Sequence, residues 1–231
     1  MMFERFANRV HASERLDTGD YTPAEYARWQ REMRFVHRHW GEKQALRDTL
    51  VSDIRRDGSG HASILDVGAG NGDVLVLVRE MLTERDLILI AAETSDDALT
   101  SLLENEHKDD IRPVKTSGLR LPFDDHSVDY VISTLTLHHM SDESAPDLIR
   151  EMSRVALRRF YIVDLNRHPF GYYGWRAISP ILFQKFMQQD GALSVLRSFT
   201  ASELLALAGE AGVSEAKVTH SRANRLVLSG R

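Results

Sequence analysis

The 231-residue chain is 42% hydrophobic and 27% charged with a net charge of −5, a make-up that supports one large domain with a substantial core. It has no cysteine, which excludes disulfides, thiolate metal sites and a cysteine nucleophile. The acidic balance argues against a nucleic-acid partner, and no run reaches the roughly 20 apolar residues of a membrane span or the apolar core of a signal peptide, so a cytoplasmic location is expected.

Residues 1–58 read as a helical cap. In TPAE, residues 22–25, Thr22 is an N-cap, proline takes the first helical position and Glu25 completes a capping box. Tyr26, Trp29, Met33, Val36 and Trp40 then recur every three or four residues, one apolar stripe along a helix that Gly41 ends. A second helix is expected from about Lys43 to Arg56, and the turn cluster DGSG at 57–60 marks the boundary with a second unit, 59–231.

From there strands and helices alternate. SILDV is a buried strand and DVLVLVREML a helix; LILIAAE is a strand and DDALTSLLEN a helix. IRPVKT and VDYVIST are strands, DESAPDLIREMSRVAL a helix and RRFYIVDL a strand. Such alternation predicts βαβ crossovers and a mostly parallel, Rossmann-like sheet of seven strands with helices on both faces. The helix TASELLALAGEAG is followed by SEAKVTH and NRLVLSG, separated by only SRA. That gap permits only a hairpin, so the sheet should end antiparallel.

The first strand runs into ILDVGAGNGD, residues 64–73. Gly68, Gly70 and Gly72 are spaced one residue tighter than the dinucleotide signature, which is weak by itself. A diphosphate needs bare backbone N–H groups and no nearby negative charge. Asp66 and Asp73 work against that, whereas a ligand with an ammonium group suits Asp66. Glu93 ends the next strand, where an acid accepts hydrogen bonds from ribose hydroxyls. A ribose with an ammonium group and no phosphate describes S-adenosylmethionine.

These residues resemble the class I S-adenosylmethionine-dependent methyltransferases, in motif detail from about Ala62 to Leu165 and in topology to the C-terminal hairpin. ILDVGAGNG is similar to the family's first motif and AAETS to its second, which implies cofactor contacts at Asp66, Gly68, Ala69, Gly70, Gly72, Glu93 and Thr94. LRLPFDDHSVDYVISTLTLHHM, residues 119–140, resembles the stretch around the fourth strand in the small-molecule branch typical of bacterial biosynthetic pathways. Where the family usually has an aspartate for the adenine amino group, this chain has Ser117. Adenine is therefore expected to lean on the backbone near Gly118 and Leu119. Thr134 and Leu135 are candidates for the methionine part, and the product implied is S-adenosylhomocysteine.

His138 and His139 follow the fourth strand at its carboxyl end, the edge where ligands sit in open α/β sheets. Either can take a proton from an acceptor; the structural alternative is that one supports the following helix. Asp164, at the end of the fifth strand, either hydrogen-bonds the acceptor or pairs with Arg167, and the second is favoured. The remaining histidines show no metal-ligand spacing, so no metal is expected.

Residues 166–199 are too long for a plain connection. Six of the chain's 18 aromatic residues lie between Phe170 and Phe186, so the segment is expected to be an apolar lid over a small, apolar or aromatic acceptor. The rival is a membrane-surface or homodimer contact with Phe170, Trp175 and Phe183 facing outward. The N-terminal helices are expected to close the opposite side of the pocket, with Tyr21, His37 and Arg38 as further candidates for contacts. The expectation is methyl transfer to such an acceptor, at oxygen. Carbon methylation of a quinone-like acceptor, a non-catalytic cofactor-binding protein and an NAD-linked oxidoreductase stay open as alternatives.

Overall fold

The computed structural model describes residues 4–104 and 108–231. One sheet organises the chain: β1 (His61–Val67), β2 (Asp86–Glu93), β3 (Ile111–Lys115), β4 (Val128–Thr134), β5 (Ala156–Leu165), β6 (Lys217–Ser221) and β7 (Arg225–Gly230). Its order is β3-β2-β1-β4-β5-β7-β6. Strands β1 to β5 pair in parallel, and β7 runs antiparallel to both β5 and β6. The chain direction across the sheet reverses between β1 and β4, so a crevice opens beyond their carboxyl ends.

The central strands are buried on both faces, which is why they read as unbroken apolar runs rather than alternating ones. On one face α7 (Ala145–Val155) and α10 (Ala201–Glu210) bury Leu148, Met152 and Leu204 against Leu65, Val131 and Ile162. On the other, α5 (Asp73–Met81) buries Val74 and Leu75 against Ile64 and Ile132. α6 (Asp96–Glu104) follows β2; Asn105, the last residue of its predicted span, and His107 lie outside the described residues.

The N-terminal part opens with α1 (Arg15–Thr18) and α2 (Pro23–His39). The capping box of α2 forms as expected: Thr22 Oγ1 accepts from Glu25 N–H at 3.2 Å, and Glu25 Oε2 accepts from Thr22 N–H at 2.9 Å. After Gly41 one continuous helical run comprises α3 (Glu42–Leu46), a π-helical turn (Arg47–Val51) and α4 (Ser52–Asp57). Leu46, Leu50, Val51 and Ile54 of this run belong to the core beneath β1. The expected cap over residues 1–58 is thus divided: its second helix is part of the sheet's core, and its covering part stops at Trp40.

The insertion at 166–199 folds as two helices, α8 (Pro169–Leu182) and α9 (Lys185–Arg197). The apolar stripe of α2 packs on them, with Trp29, Met33, Val36 and Trp40 against Trp175, Phe183 and Met187. Cap and lid therefore meet each other over the crevice instead of closing it from opposite sides. Trp175 and Phe183 turn inward and stack at 5.1 Å, contrary to the outward orientation considered for them; only Phe170 of those three projects outward. The hairpin turn also differs from its expected form. Asn224 joins Ala223 in a left-handed conformation (φ 62° and 52°) that reverses the chain in the sense favoured by strand twist.

Candidate active site

A cavity of about 1310 Å³ lies over the carboxyl ends of β1 and β4, beneath α2, α8 and α9. That exceeds the roughly 300–1,000 Å³ of a pocket for one drug-sized ligand, so the cavity has room for a cofactor and an acceptor together. Every predicted cofactor contact lines it except Gly72. Gly72 lies behind the loop, where an added Cβ would meet Leu102 at 2.6 Å. Its work is to start α5 from a left-handed conformation and to let helix and strand approach.

The loop after β1 is bent by left-handed glycines, Gly68 at φ 75° and Gly70 at φ 55°. Around Gly70 nothing would meet an added Cβ within 4 Å, so its backbone presents bare surface to the cavity. Gly70 N–H donates to Glu93 Oε2 at 2.8 Å. Thr94 and Ser95 N–H donate to Glu93 Oε1 at 2.7 and 2.9 Å. The acid is thereby fixed at the end of β2 with oxygen lone pairs left to accept from a ligand.

Asp66 behaves differently. It is 1% exposed, and neither carboxylate oxygen has a hydrogen-bond partner. Burial, with Glu93 adding repulsion, pushes its pKa up to about 8. A carboxyl left orphaned on a cavity wall is costly unless a cation or donor arrives with the ligand.

At the other end of the cavity β4 delivers Thr134, Leu135 and the helical turn Leu137–His139. Leu135 is left-handed, φ 54°, an unusual state for a branched side chain and one that clusters at functional sites. His138 is buried, and its Nδ1 lies 2.7 Å from Asp164 Oδ1. Asp164 also accepts from His138 N–H at 3.0 Å and Leu165 N–H at 2.7 Å. Burial alone would raise Asp164, but His138 and these donors hold it below the usual carboxylate range. An ionised Asp164 holds a proton on Nδ1 and turns Nε2 toward Glu14. Asp164 was expected to pair with Arg167; instead Arg167 is buried against Glu203 and the carbonyls of Phe6 and Ser198.

His139 is engaged elsewhere, with its Nδ1 2.7 Å from Asp17 Oδ1. Asp17 also pairs with Arg197. Despite burial, His139 and Arg197 hold Asp17 far below its ordinary value. Glu14 sits beside them, its Oε1 3.8 Å from His138 Nε2. Burial pushes Glu14 up to about 7, against the pull of His139, Arg197 and the Ser194 hydroxyl. Arg9 ties the N-terminal segment down, donating to the carbonyls of His138 and Met140 at 3.1 Å each. Glu14, Asp17 and Arg197 were missed in the sequence because more than 120 residues separate the first two from the histidines in one direction, and nothing in HASERLD distinguishes its charges from those of a solvated helix.

Of the further candidates, Tyr21 lines the cavity and stacks on Tyr26 and Phe186 at 5.0 and 5.6 Å. His37 lines it as well, with an unpartnered buried Nδ1 and a pKa lowered by burial. Arg38 does not; it pairs with Glu80 at 2.5 Å. Glu14, His138 and His139 each bring a potential metal-ligand atom within 4.8 Å of the others. The acid of that set already faces a cation, Arg197, at 3.4 Å.

Comparison with known proteins agrees with this geometry. Residues 64–158 match the family model described as a methyltransferase domain. A methyltransferase domain thus occupies residues 64–158. No curated protein matches it as a relative. Among solved structures, the plantazolicin methyltransferase BpumL, in complex with a desmethylPZN analog and SAH, is 18% identical with TM-score 0.68, covering 95% of this chain and 82% of that one. A Thermotoga maritima S-adenosylmethionine-dependent methyltransferase, described as a possible histamine N-methyltransferase, is 18% identical with TM-score 0.60, covering 99% and 97%. The magnesium protoporphyrin IX methyltransferase of Synechocystis is 14% identical with TM-score 0.53, covering 81% and 78%. At these identities the likeness is one of fold. The residues of the cavity fit S-adenosylmethionine in kind: a buried carboxyl without a partner, an acid with lone pairs left to accept and a glycine loop with open space before it.

Proposed function

We propose that this protein transfers the methyl group of S-adenosylmethionine to an oxygen of a small, largely apolar acceptor, with His138 as general base. The observation that carries the reading is the buried His138–Asp164 pair on the cavity wall. In this reading Asp66 takes the ammonium, Glu93 the ribose, and Ser117, Gly118 and Leu119 line the adenine end. When bound, the cofactor supplies an electrophilic methyl group on a sulfonium.

The chain's own residues would then do three things. The rings of Tyr21, Trp29, Trp40 and Trp175 on the cavity wall give an apolar or aromatic acceptor a surface to pack on and exclude water. The ionised Asp164 fixes the His138 ring so that Nε2 points toward the Glu14 side, ready to take the acceptor's hydroxyl proton. Glu14, which holds a proton up to about pH 7, can donate a hydrogen bond to a second oxygen of the acceptor in that same corner.

A phenol ionised by the same base can also take the methyl group on a ring carbon, so the products must be identified and not only counted. The test is a panel of phenols and hydroxyquinones with labelled S-adenosylmethionine, run on the parent and on His138→Ala. An oxygen-methylated product that disappears in the variant, while cofactor affinity is kept, supports the proposal. Unchanged turnover in His138→Ala would sink it.

A further inference from the structure

α8 carries apolar side chains on its outer as well as its inner face, with Arg176 as its one charged residue. Its inner face, with Tyr172 and Ser179, is buried. Yet among the described residues five of the eleven large hydrophobic side chains left exposed also lie on it: Phe170, Tyr173, Ile178, Ile181 and Leu182. Phe170 is 85% and Ile181 82% exposed. The spacing of 170, 173, 178 and 181 places them on one outward stripe. A soluble surface rarely leaves so contiguous a stripe bare without a use for it.

The charge around the stripe says what covers it. From residue 165 to 189 the chain has no acidic residue. Its charges there are Arg167, buried against Glu203, and Arg176 and Lys185, both exposed. Arg5 adds a third exposed cation, lying 4.7 Å over the Tyr172 ring. The acid that reaches the end of α8, Glu32, is mostly buried and paired with Arg28. Hydrophobic side chains accompanied by the exposed Arg176 and Lys185, with no acid between residues 165 and 189, on a chain whose net charge is −5, make a face complementary to an anionic, apolar boundary. Among the described residues no single helix is long and apolar enough to cross a membrane, so the contact would lie on the surface.

We infer that α8 docks this protein onto the surface of an anionic lipid bilayer, with Phe170, Tyr173, Ile178 and Ile181 entering the headgroup boundary and Arg5, Arg176 and Lys185 resting on the phosphates. Phe170 and Ile178 also line the cavity, so the docked helix is the wall between bilayer and active site. The docking rests on this surface alone and holds whatever the acceptor proves to be.

The test is co-sedimentation of the full chain with vesicles of phosphatidylcholine plus phosphatidylglycerol, against phosphatidylcholine alone. The variants are Ile181→Glu, which lies off the cavity, and Lys185→Glu. Thermal melting checks that each is folded, and light scattering without vesicles gives the oligomeric state. The parent should sediment with the anionic vesicles and not with the neutral ones. Ile181→Glu should weaken partitioning roughly tenfold or more, and Lys185→Glu should weaken it by a smaller factor that high salt abolishes. A parent that stays in solution with both vesicle types, variants that bind as well as the parent, or equal binding to neutral vesicles would each overturn the assignment. So would a parent dimer that Ile181→Glu splits, since the stripe would then belong to a second copy.

Discussion

With Asp66 taking the ammonium group, as proposed, cofactor binding should be a proton-releasing event. With a pKa of about 8 in the free protein, about nine in ten copies are protonated at pH 7. An ammonium group placed against Asp66 favours the ionised form, so binding at pH 7 should expel about 0.8 proton, net of the small uptake by the ligand's own α-amino group. The sign follows directly: below pH 8 the binding-competent carboxylate is the minor form, and affinity rises with pH. Between pH 6 and pH 7 the gain should be roughly eightfold, allowing for the ligand's own α-amino group near pH 8. Calorimetric titration of S-adenosylmethionine in buffers of different ionisation heat measures the released proton directly. Asp66→Asn should bind poorly, lose the pH dependence and, lacking a carboxyl to ionise, melt higher than the parent at pH 8 without ligand. Binding enthalpies independent of buffer, together with a flat affinity profile from pH 6 to 8, would refute the placement of Asp66 against the ammonium.

Four more outcomes are expected. His138→Ala should lower kcat by about 10²–10⁴ while keeping cofactor affinity, and Asp164→Asn should do nearly as much by releasing the ring's tautomer; both are read from single-turnover rates and a parallel titration. Glu14→Gln should remove a limb of the pH–rate profile near pH 7, where Glu14 ionises, and a profile unchanged from the parent's would take Glu14 out of the acceptor corner. Activity should survive EDTA because Arg197 already faces the acid of the only three-residue ligand set found among the described residues; loss on chelation and recovery with a divalent metal would reassign Glu14, His138 and His139. Glu42→Ala should cost about 3–5 kcal/mol in chemical denaturation, since it strands Arg225, which is 4% exposed and held by Glu42 at 2.6 Å.

Much of the sheet was legible because its rules are local. Gly68, Gly70 and the short link before Arg225 each restrict a turn within a few residues, and the run lengths of β1, β2, β4 and β5 separate strand from helix. The cavity wall proposed for the cofactor was legible for the same reason: Asp66, the glycines and Glu93 sit on or just after two adjacent strands, and one loop brings them together. Gly72 was misassigned because a glycine needed for packing on Leu102 looks the same in sequence as one needed for a ligand. The acceptor end was much less legible. Asp164 could be paired with His138 only after β4 and β5 were known to be neighbours in a given register. Glu14 and Asp17 come from a segment whose position depends on Arg9, Arg167 and Arg197, contacts that span 129 residues or more and leave no local periodicity. Likewise, the stripe of α2 announces an apolar face but not the partner, and that partner turned out to be the lid itself.

The two ends share one energetic logic. Most buried charges here are matched: Arg225 with Glu42, Arg167 with Glu203, His138 with Asp164. Asp66 and Glu14 lack a full match: both are buried, both are pushed up toward neutral pH, and both lie on the wall of the same cavity. Because their folded pKa values lie above the ordinary ones, each disfavours its ionised form. The fold therefore loses stability from about pH 4 upward, until Glu14 has ionised near 7 and Asp66 near 8. Among the described residues none hydrogen-bonds Asp66, and His139, Arg197 and Ser194 relieve Glu14 only in part. A core selected for stability alone would replace such groups with apolar side chains. Their retention at opposite ends of one cavity is what a site looks like when its missing partners arrive with the ligands: a cation at Asp66, and a hydrogen-bonding oxygen at Glu14.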